Sequence, residues 1–351
     1  MINRIFFIIR HFLFHVVFSF FITFKCLAQS SDPERAYKVA LPFLLITPDA
    51  RSAGMGETGV STSSDVYSIY WNAAKYAFSE QSSGVGISIT PWKRQLAEDM
   101  NVFYLSGFHR LNELQTIATS IKYFTLGRSI FIDNEGNNTN SYKPSDLSID
   151  FAYIRKLSEV FSLSTTVKYV RSDITALDFV QGQGITGQAF GADIGLFYYK
   201  PISAGHQDGT LAIGANISNL GTNIKYGSVN LAMPTLVKLG GSYIGTHDGS
   251  LKYAFSVELN KLLVKNVSNM PNVSTGLEVI LADKLALRTG YYNTKTILEE
   301  GKYFTTGIGL NYLNFSINFS YLFPTQSLNA SANTIRYSLG YTINKRNNPI
   351  N

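Results

Sequence analysis

From about residue 81 onward the chain repeats one pattern, stretches of roughly ten residues in which apolar and polar side chains alternate. DLSIDFAYIRK, residues 146–156, puts Leu147, Ile149, Phe151 and Tyr153 on one face and Ser148, Asp150 and Ala152 on the other. FSLSTTVKYV (161–170) and LKYAFSVELN (251–260) do the same, as do FSINFSYLF and TIRYSLGYTI near the C-terminus. A strand of this kind must bury its apolar face, either in the core of a sandwich or in lipid. Two features select lipid. The apolar face is studded with Tyr and Phe, while the other carries Lys, Asp, Glu, Arg and Gly, the aromatic exterior and polar lumen of a membrane barrel. A bilayer needs about 9–11 residues of tilted strand, and no apolar run of about 18 residues follows residue 28 to offer a spanning helix instead.

Fourteen such segments can be counted, centred near 87, 104, 120, 151, 165, 194, 214, 240, 255, 276, 289, 308, 319 and 339. The connections after segments 4, 8, 10 and 12 are short (RKLSEV, GTHDGS, ADK and Leu313-Asn314). Those after segments 3, 5 and 7 are long, and those after segments 2 and 6 are intermediate. Short turns after even segments and long loops after odd ones place both termini on the periplasmic side of an outer membrane. The expected fold is an all-β, 14-stranded antiparallel transmembrane barrel, with twelve strands as the nearest alternative.

The N-terminus reads MINRIFFIIRHFLFHVVFSFFITFKCLAQS. Arg4 and Arg10, the apolar Phe12–Phe24 and the small residues up to Ala28 follow the order of a secretory signal peptide, which predicts cleavage after Ala28. The competing reading, a membrane anchor, is weakened by Arg10, His11 and His15. Cys26 is the one cysteine, so the mature chain has no disulfide, thiolate nucleophile or cysteine metal site. The balance of 30 basic to 24 acidic residues becomes 27 to 24 once Arg4, Arg10 and Lys25 are removed. Nothing indicates nucleic-acid binding, which would want a basic stripe. The expected organisation is 1–28 signal peptide, 29–80 an N-terminal plug at the periplasmic end, 81–345 barrel and 346–351 a short tail.

Within 29–80 stands GMGETG, in which Gly54, Gly56 and Gly59 match the G-x-G-x-x-G of a dinucleotide-binding turn. No long amphipathic helix and no βαβ unit accompany it, and the same pattern recurs at Gly182, Gly184 and Gly187 within a predicted outer loop. No cofactor is therefore expected. Glycine permits positive φ and close approach of backbone to backbone, and a plug packed in a barrel lumen needs both.

The ordered set LPFLLITPDARSAGMGETGVSTSSD, WNAAKYAF, TPWKRQ, YLSGFHRL, IKYFTLG, IDFAYIRKLSEVFS and VKYVRSDI resembles the PorV (LptO) family of the Bacteroidetes type IX secretion system, within the FadL-like barrels. It covers almost the whole chain after residue 28, with small departures such as Tyr67 and Ile69. The resemblance implies a plugged barrel that binds the C-terminal domain of cargo leaving an SprA-type translocon. Cargo would then pass to a surface attachment complex containing a PorU-type sortase. It also implies structural roles for the plug motif: hydrogen bonds or salt bridges of Asp49 and Arg51, tight backbone at Gly54, Gly56 and Gly59, and anchoring to the wall by Trp71 and Asn72.

Two other functions compete with this one. A FadL-like transporter of hydrophobic compounds would use Phe43, Leu44, Leu45 and Ile46 as ligand lining, where they would otherwise pack the plug. A lipid A or phospholipid deacylase would want a serine with a histidine base, yet His109, His206 and His247 fall in predicted periplasmic turns. No enzyme activity and no metal are expected. Of the inward ionisable residues Asp150, Lys168, Asp193, Glu258, Glu278 and Arg288, most should pair within the lumen. Partner contact is expected in outer loops 125–145 and 172–188, through Arg128, Phe131, Tyr142, Asp173, Leu177 and Phe179. Outer-membrane lipids complete the set of expected partners.

Overall fold

The computed structural model describes residues 40–92, 99–132, 138–173, 186–204, 207–247, 250–263, 271–296, 299–325 and 334–344. Fourteen antiparallel strands close into a barrel. They are β1 (Gln81–Pro91), β2 (Met100–Arg110), β3 (Gln115–Leu126), β4 (Ser145–Lys156), β5 (Phe161–Asp173), β6 (Thr186–Ala204) and β7 (Gln207–Gly221). The second half comprises β8 (Leu236–His247), β9 (Leu251–Leu262), β10 (Asn272–Leu281), β11 (Leu285–Thr296), β12 (Glu299–Tyr312), β13 (Phe315–Pro324) and β14 (Ile335–Asn344). Each strand pairs with its sequence neighbours, and β14 closes on β1 through pairs such as Ile87 with Leu339. Every centre read from the alternation lies inside its strand.

The alternation maps onto the wall as a lipid-facing exterior and a polar interior. Phe151, Val167, Phe190, Leu239, Phe255 and Phe304 are exposed on the outside, while Ser148, Asp150, Lys168, Asp193, Glu258, Glu278 and Arg288 are buried within. Ion pairs join Lys168 to Asp193 at 3.3 Å and Arg288 to Glu278 at 2.7 Å. Asp193 sits at a register shift between β6 and β7 and accepts a bond from the backbone of Asn219, which has positive φ. The extra residue of this bulge lies on β7, where Ser218 and Asn219 both stand opposite Asp193 and both are buried.

Each even-numbered strand from β2 to β12 is joined to the next by two to four residues, namely 111–114, 157–160, 205–206, 248–250, 282–284 and 313–314. The turns after β2 and β6 are thus short like the rest, because the flanking strands run further than the alternation alone suggested. The long connections follow odd-numbered strands. That after β3 carries a hairpin of Ser129–Ile132 with Asn138–Tyr142, and that after β7 a ribbon of Ile224–Tyr226 with Val229–Leu231. Loops expected at 125–145 and 172–188 contract to 127–144 and 174–185, so Asp173 is the last residue of β5. His109 and His247 likewise belong to the ends of β2 and β8, and His206 lies outside the described residues.

Ahead of β1 the described residues 40–80 form short turns only: 3-10 turns at Pro42–Leu45 and Ala73–Phe78, and one-turn helices α1 (Ala50–Gly54) and α2 (Ser68–Trp71). It enters at the long-loop end, where the Ala40 N–H donates to Ala232 O at 3.2 Å. There Phe43, Leu44 and Ile46 pack with Trp92, Val102, Phe124, Val170 and Ile224. It leaves at the short-turn end, where Ser162 Oγ donates to Ala74 O at 2.7 Å and the Arg110 guanidinium donates to Ser79 O. A segment lodged wholly at the short-turn end, the simplest expectation from both termini lying on one side, is not what forms. The described part runs the length of the wall because the apolar run LPFLLI finds its apolar partners only at the long-loop end.

Candidate functional site

The segment from Asp49 to Asn72 gathers the candidate motif residues into one seat against the wall. Asp49 caps α1, accepting from Ser52 N–H at 2.8 Å, and also accepts from Trp71 Nε1 at 2.7 Å. It is fully buried. Burial, and then the charge of Asp65, push its carboxyl above the usual range, and the donated hydrogen bonds oppose this. Two distant parts of the segment are thereby tied together through one carboxylate.

Arg51 makes the junction with the wall. Its Nε and one terminal nitrogen meet Glu278 at 3.0 and 2.8 Å in a fork, and the other terminal nitrogen meets Asp65 at 3.0 Å. Glu278 is shared with Arg288, which reaches Asn318 at 2.9 Å. Burial disfavours the Arg51 charge, but Glu278 and then Asp65 outweigh it and hold the guanidinium protonated. Bidentate geometry with satisfied neighbours is the condition under which a buried ion pair is retained.

The three motif glycines serve different needs. Gly56 has φ +67°, and a Cβ there would lie 2.5 Å from Thr275 O and 2.7 Å from Tyr291 N. Gly54 is helical, so its requirement is proximity alone, with a Cβ 3.0 Å from the Cα of Gly307. Gly59 would drive a Cβ into the Trp71 ring at 2.1 Å. Positive φ as a common reason for these glycines therefore applies to Gly56 and not to Gly54. The exposed N–H groups of this turn are taken by the wall. Gly56 N donates to Thr305 Oγ1 at 2.8 Å, and Gly59 N and Val60 N both donate to Glu258 Oε2, at 2.8 and 2.9 Å. A glycine-rich turn whose amides converge on a carboxylate has no vacancy for a phosphate.

Trp71 and Asn72 close the seat. Asn216 Nδ2 donates to Trp71 O at 2.7 Å, and Asn72 Nδ2 donates to Leu196 O at 2.9 Å and to Val60 O at 3.2 Å. Lys75 is buried beneath them, donating to Gly59 O at 2.6 Å and Thr62 Oγ1 at 3.2 Å. Burial pushes its ammonium down to about 8.

The outer-loop candidates are scattered by comparison. Arg128 is exposed, and its backbone N–H donates to Asp99 Oδ1 at 3.2 Å. Tyr142 and Asp173 are half-buried at strand ends. Phe131 belongs to the hairpin strand Ser129–Ile132, and Leu177 and Phe179 lie outside the described residues. No group of His, Cys, Asp and Glu able to hold a metal occurs among the described residues.

The model of the type IX secretion system protein PorV matches residues 29–269. The chain belongs to the PorV family. It is a family of outer-membrane secretion components rather than enzymes. No curated protein is significantly similar in sequence. Among solved structures, the toluene transporter TodX of Pseudomonas putida superposes with a TM-score of 0.53 at 12% identity, over 84% of this chain and 97% of that one. The toluene transporter TbuX of Ralstonia pickettii gives 0.51 at 12% identity, over 84% and 97%. A FadL homologue of Pseudomonas aeruginosa gives 0.48 at 10%, over 88% and 100%. The first two likenesses are ones of fold alone, and the outer-membrane placement of this barrel follows from its PorV family.

Several residues of the seat carried no signal in the sequence. Gly214 on β7, Gly240 on β8, Gly276 on β10, Gly290 on β11 and Gly307 on β12 face inward and receive residues 54–61. A Cβ on Gly290 would lie 2.0 Å from Gly56 N, and one on Gly214 2.1 Å from Val60 O. Glycine inside a strand marks close approach of another backbone, but only the register shows that these five line up opposite the GMGETG turn.

Proposed function

We propose that this chain is a carrier and adaptor of the type IX system, whose residues 40–80 act as a permanent plug. In this reading residues 1–28 direct export and the short-turn end faces the periplasm. The barrel would receive cargo from an SprA-type translocon by binding the cargo's C-terminal domain, then deliver it to a PorU-containing attachment complex. The supporting observation is the way the N-terminal segment is held. It is bonded to Ser106 of β2, Lys122 of β3, Ser162 of β5, Leu196 of β6, Asn216 of β7, Glu258 of β9, Glu278 of β10, Thr305 of β12 and Ser338 of β14. A lumen so filled suits recognition at the rim and in the loops better than axial transport, since loops on a rigid scaffold carry binding.

One observation favours a second reading, transport of hydrophobic small molecules. An aromatic-lined cavity lies beside Phe43, Leu45 and Ile46, and the superposed TodX and TbuX are toluene transporters. Affinity purification of the tagged chain from gently solubilised outer membranes separates the two. Recovery of a very large barrel, or of secreted proteins sharing a C-terminal domain, supports the carrier. Recovery of lipids alone sinks it.

A further inference from the structure

The cavity at the long-loop end has a volume of about 320 Å³ and walls that include Phe43, Trp71, Trp92, Phe124 and Leu262. Two polar side chains on its floor lack the partners their burial demands. Lys238 of β8 is 5% exposed, and its ammonium makes no hydrogen bond or ion pair among the described residues. It lies over the rings of Trp71, at 4.0 Å, and Tyr70, at 5.0 Å. Lys122, 4.6 Å from the centre of the same Tyr70 ring, differs in donating to the carbonyls of Ile46 and Leu44. Asn260 of β9 is 6% exposed and its Oδ1 has no donor. Lys238 and Asn260 are directly paired across the two strands, which sets their Cβ atoms about 5 Å apart on one face. Among the described residues no carboxylate touches Lys238: Glu57, the acid of the cavity, pairs with Arg336 at 3.3 Å, and the buried Glu258 of β9 accepts from Gly59 N and Val60 N.

A buried ammonium with no hydrogen-bond acceptor and an unsatisfied amide oxygen, side by side beneath aromatic walls, define a ligand. It must carry an anion for Lys238, an N–H or O–H donor for Asn260, and an apolar body for the aromatic walls. A fatty acid supplies the first and last but, when ionised, no donor. The end of a polypeptide supplies all three: its terminal carboxylate, the amide N–H beside it, and an apolar last side chain. We propose that this cavity binds the C-terminal residue of a peptide chain, with Lys238 holding the carboxylate and Asn260 Oδ1 accepting from the adjoining amide. Capture of chain ends in this way is a general mode of peptide recognition. That the peptide belongs to secreted cargo rests on the carrier reading above, whereas the site itself does not.

The chain's two tryptophans, Trp71 and Trp92, both line this cavity, so intrinsic emission reports its occupancy. The full chain in lipid nanodiscs is titrated with a hexapeptide ending in leucine as the free acid, with the same peptide as its C-terminal amide, and with dodecanoate. The free acid should shift the emission, and the amide should bind at least about tenfold more weakly, as expected from losing one charge-assisted contact. Lys238→Met and Asn260→Leu, each checked for heat-modifiable folding, should weaken the free acid by a similar factor. Equal binding of acid and amide by the unmutated protein, or no response to either, overturns the proposal without needing any variant. Dodecanoate binding as tightly as the peptide and unaffected by Asn260→Leu overturns it in favour of a lipid. Absence of co-purifying cargo would instead count against the carrier function and leave a positive titration standing.

Discussion

The two arcs of the barrel wall hold the N-terminal segment in opposite ways. Along β7–β12 the contact is backbone on glycine, with Gly214, Gly240, Gly276, Gly290 and Gly307 against residues 54–61. Along β1–β4 it is side chain on side chain. Val66, Tyr67, Ile69, Tyr76 and Ala77 pack with Tyr104, Phe108, Ala118, Ala152 and Ile154, and the rings of Tyr76 and Phe108 stack at 4.5 Å. At Gly214, Gly276, Gly290 and Gly307 the first atom an added carbon meets is backbone, which cannot step aside, while at Gly240 it is the Val60 side chain. The aromatic arc can redistribute volume among several side chains. One wall fixes position, and the other supplies apolar contact area.

The sharpest way to break this contrast is Gly56→Val. Strain of about 1–3 kcal/mol for a non-glycine in the left-handed region combines with overpacking of about 1–3 kcal/mol against Thr275 O. A loss of about 4 kcal/mol in urea unfolding from lipid vesicles is expected. A variant with unaltered heat-modifiability would remove the special status of the glycine arc. Gly290→Ala should behave in the same sense but less severely, since only the overpacking applies.

Next in size is Arg51→Met, which should cost about 3 kcal/mol, the lower end for breaking a buried ion pair. Arg288 remains to neutralise Glu278, while Asp65 loses its cation. Stability equal to that of the unaltered chain would mean that the fork between segment and wall contributes nothing net.

Lys75 lies between the arcs and gives a smaller, pH-dependent effect. Its folded value is down to about 8 from an ordinary 10.5. Between those two values the unfolded chain binds more protons than the folded one, so stability rises with pH across that window and is flat just below it. Lys75→Met should abolish the rise, and a rise that persists in the variant would assign it to another group.

Smallest is Tyr67→Phe on the aromatic arc. The hydroxyl lies 2.8 Å from Ile87 O and 2.9 Å from Leu339 O, on either side of the β1–β14 closure, and both carbonyls belong to strands. A loss of about 1 kcal/mol is expected. A loss as large as that of Gly56→Val would erase the distinction between the arcs.

The wall was legible in the sequence because a two-residue period and the length of a bilayer leave few alternatives, and Phe151 or Phe255 on an alternating face reads the same in isolation as in the barrel. The seating of the N-terminal segment was legible in part. GMGETG announced tight backbone, but the inward glycines that meet it look like any small lumen residue until the register is known. The direction of the segment was not legible, since nothing local in LPFLLI says that Phe43 will stack on Phe124 of β3, 6.4 Å away. Lys238 and Asn260 were hidden for the same reason. Alternation turns each inward, and only the pairing of β8 with β9 brings them together.

The path of residues 40–80 from the long-loop end to the short-turn end also dictates an order of events. Once β14 has paired with β1, a chain segment bonded to at least nine strands could reach its place only by sliding lengthwise through a closed ring, past glycines that leave no clearance. A wall that wraps around a segment already in position faces no such barrier. The strand made last is then the one that shuts the ring, and the interior is laid down before there is an inside.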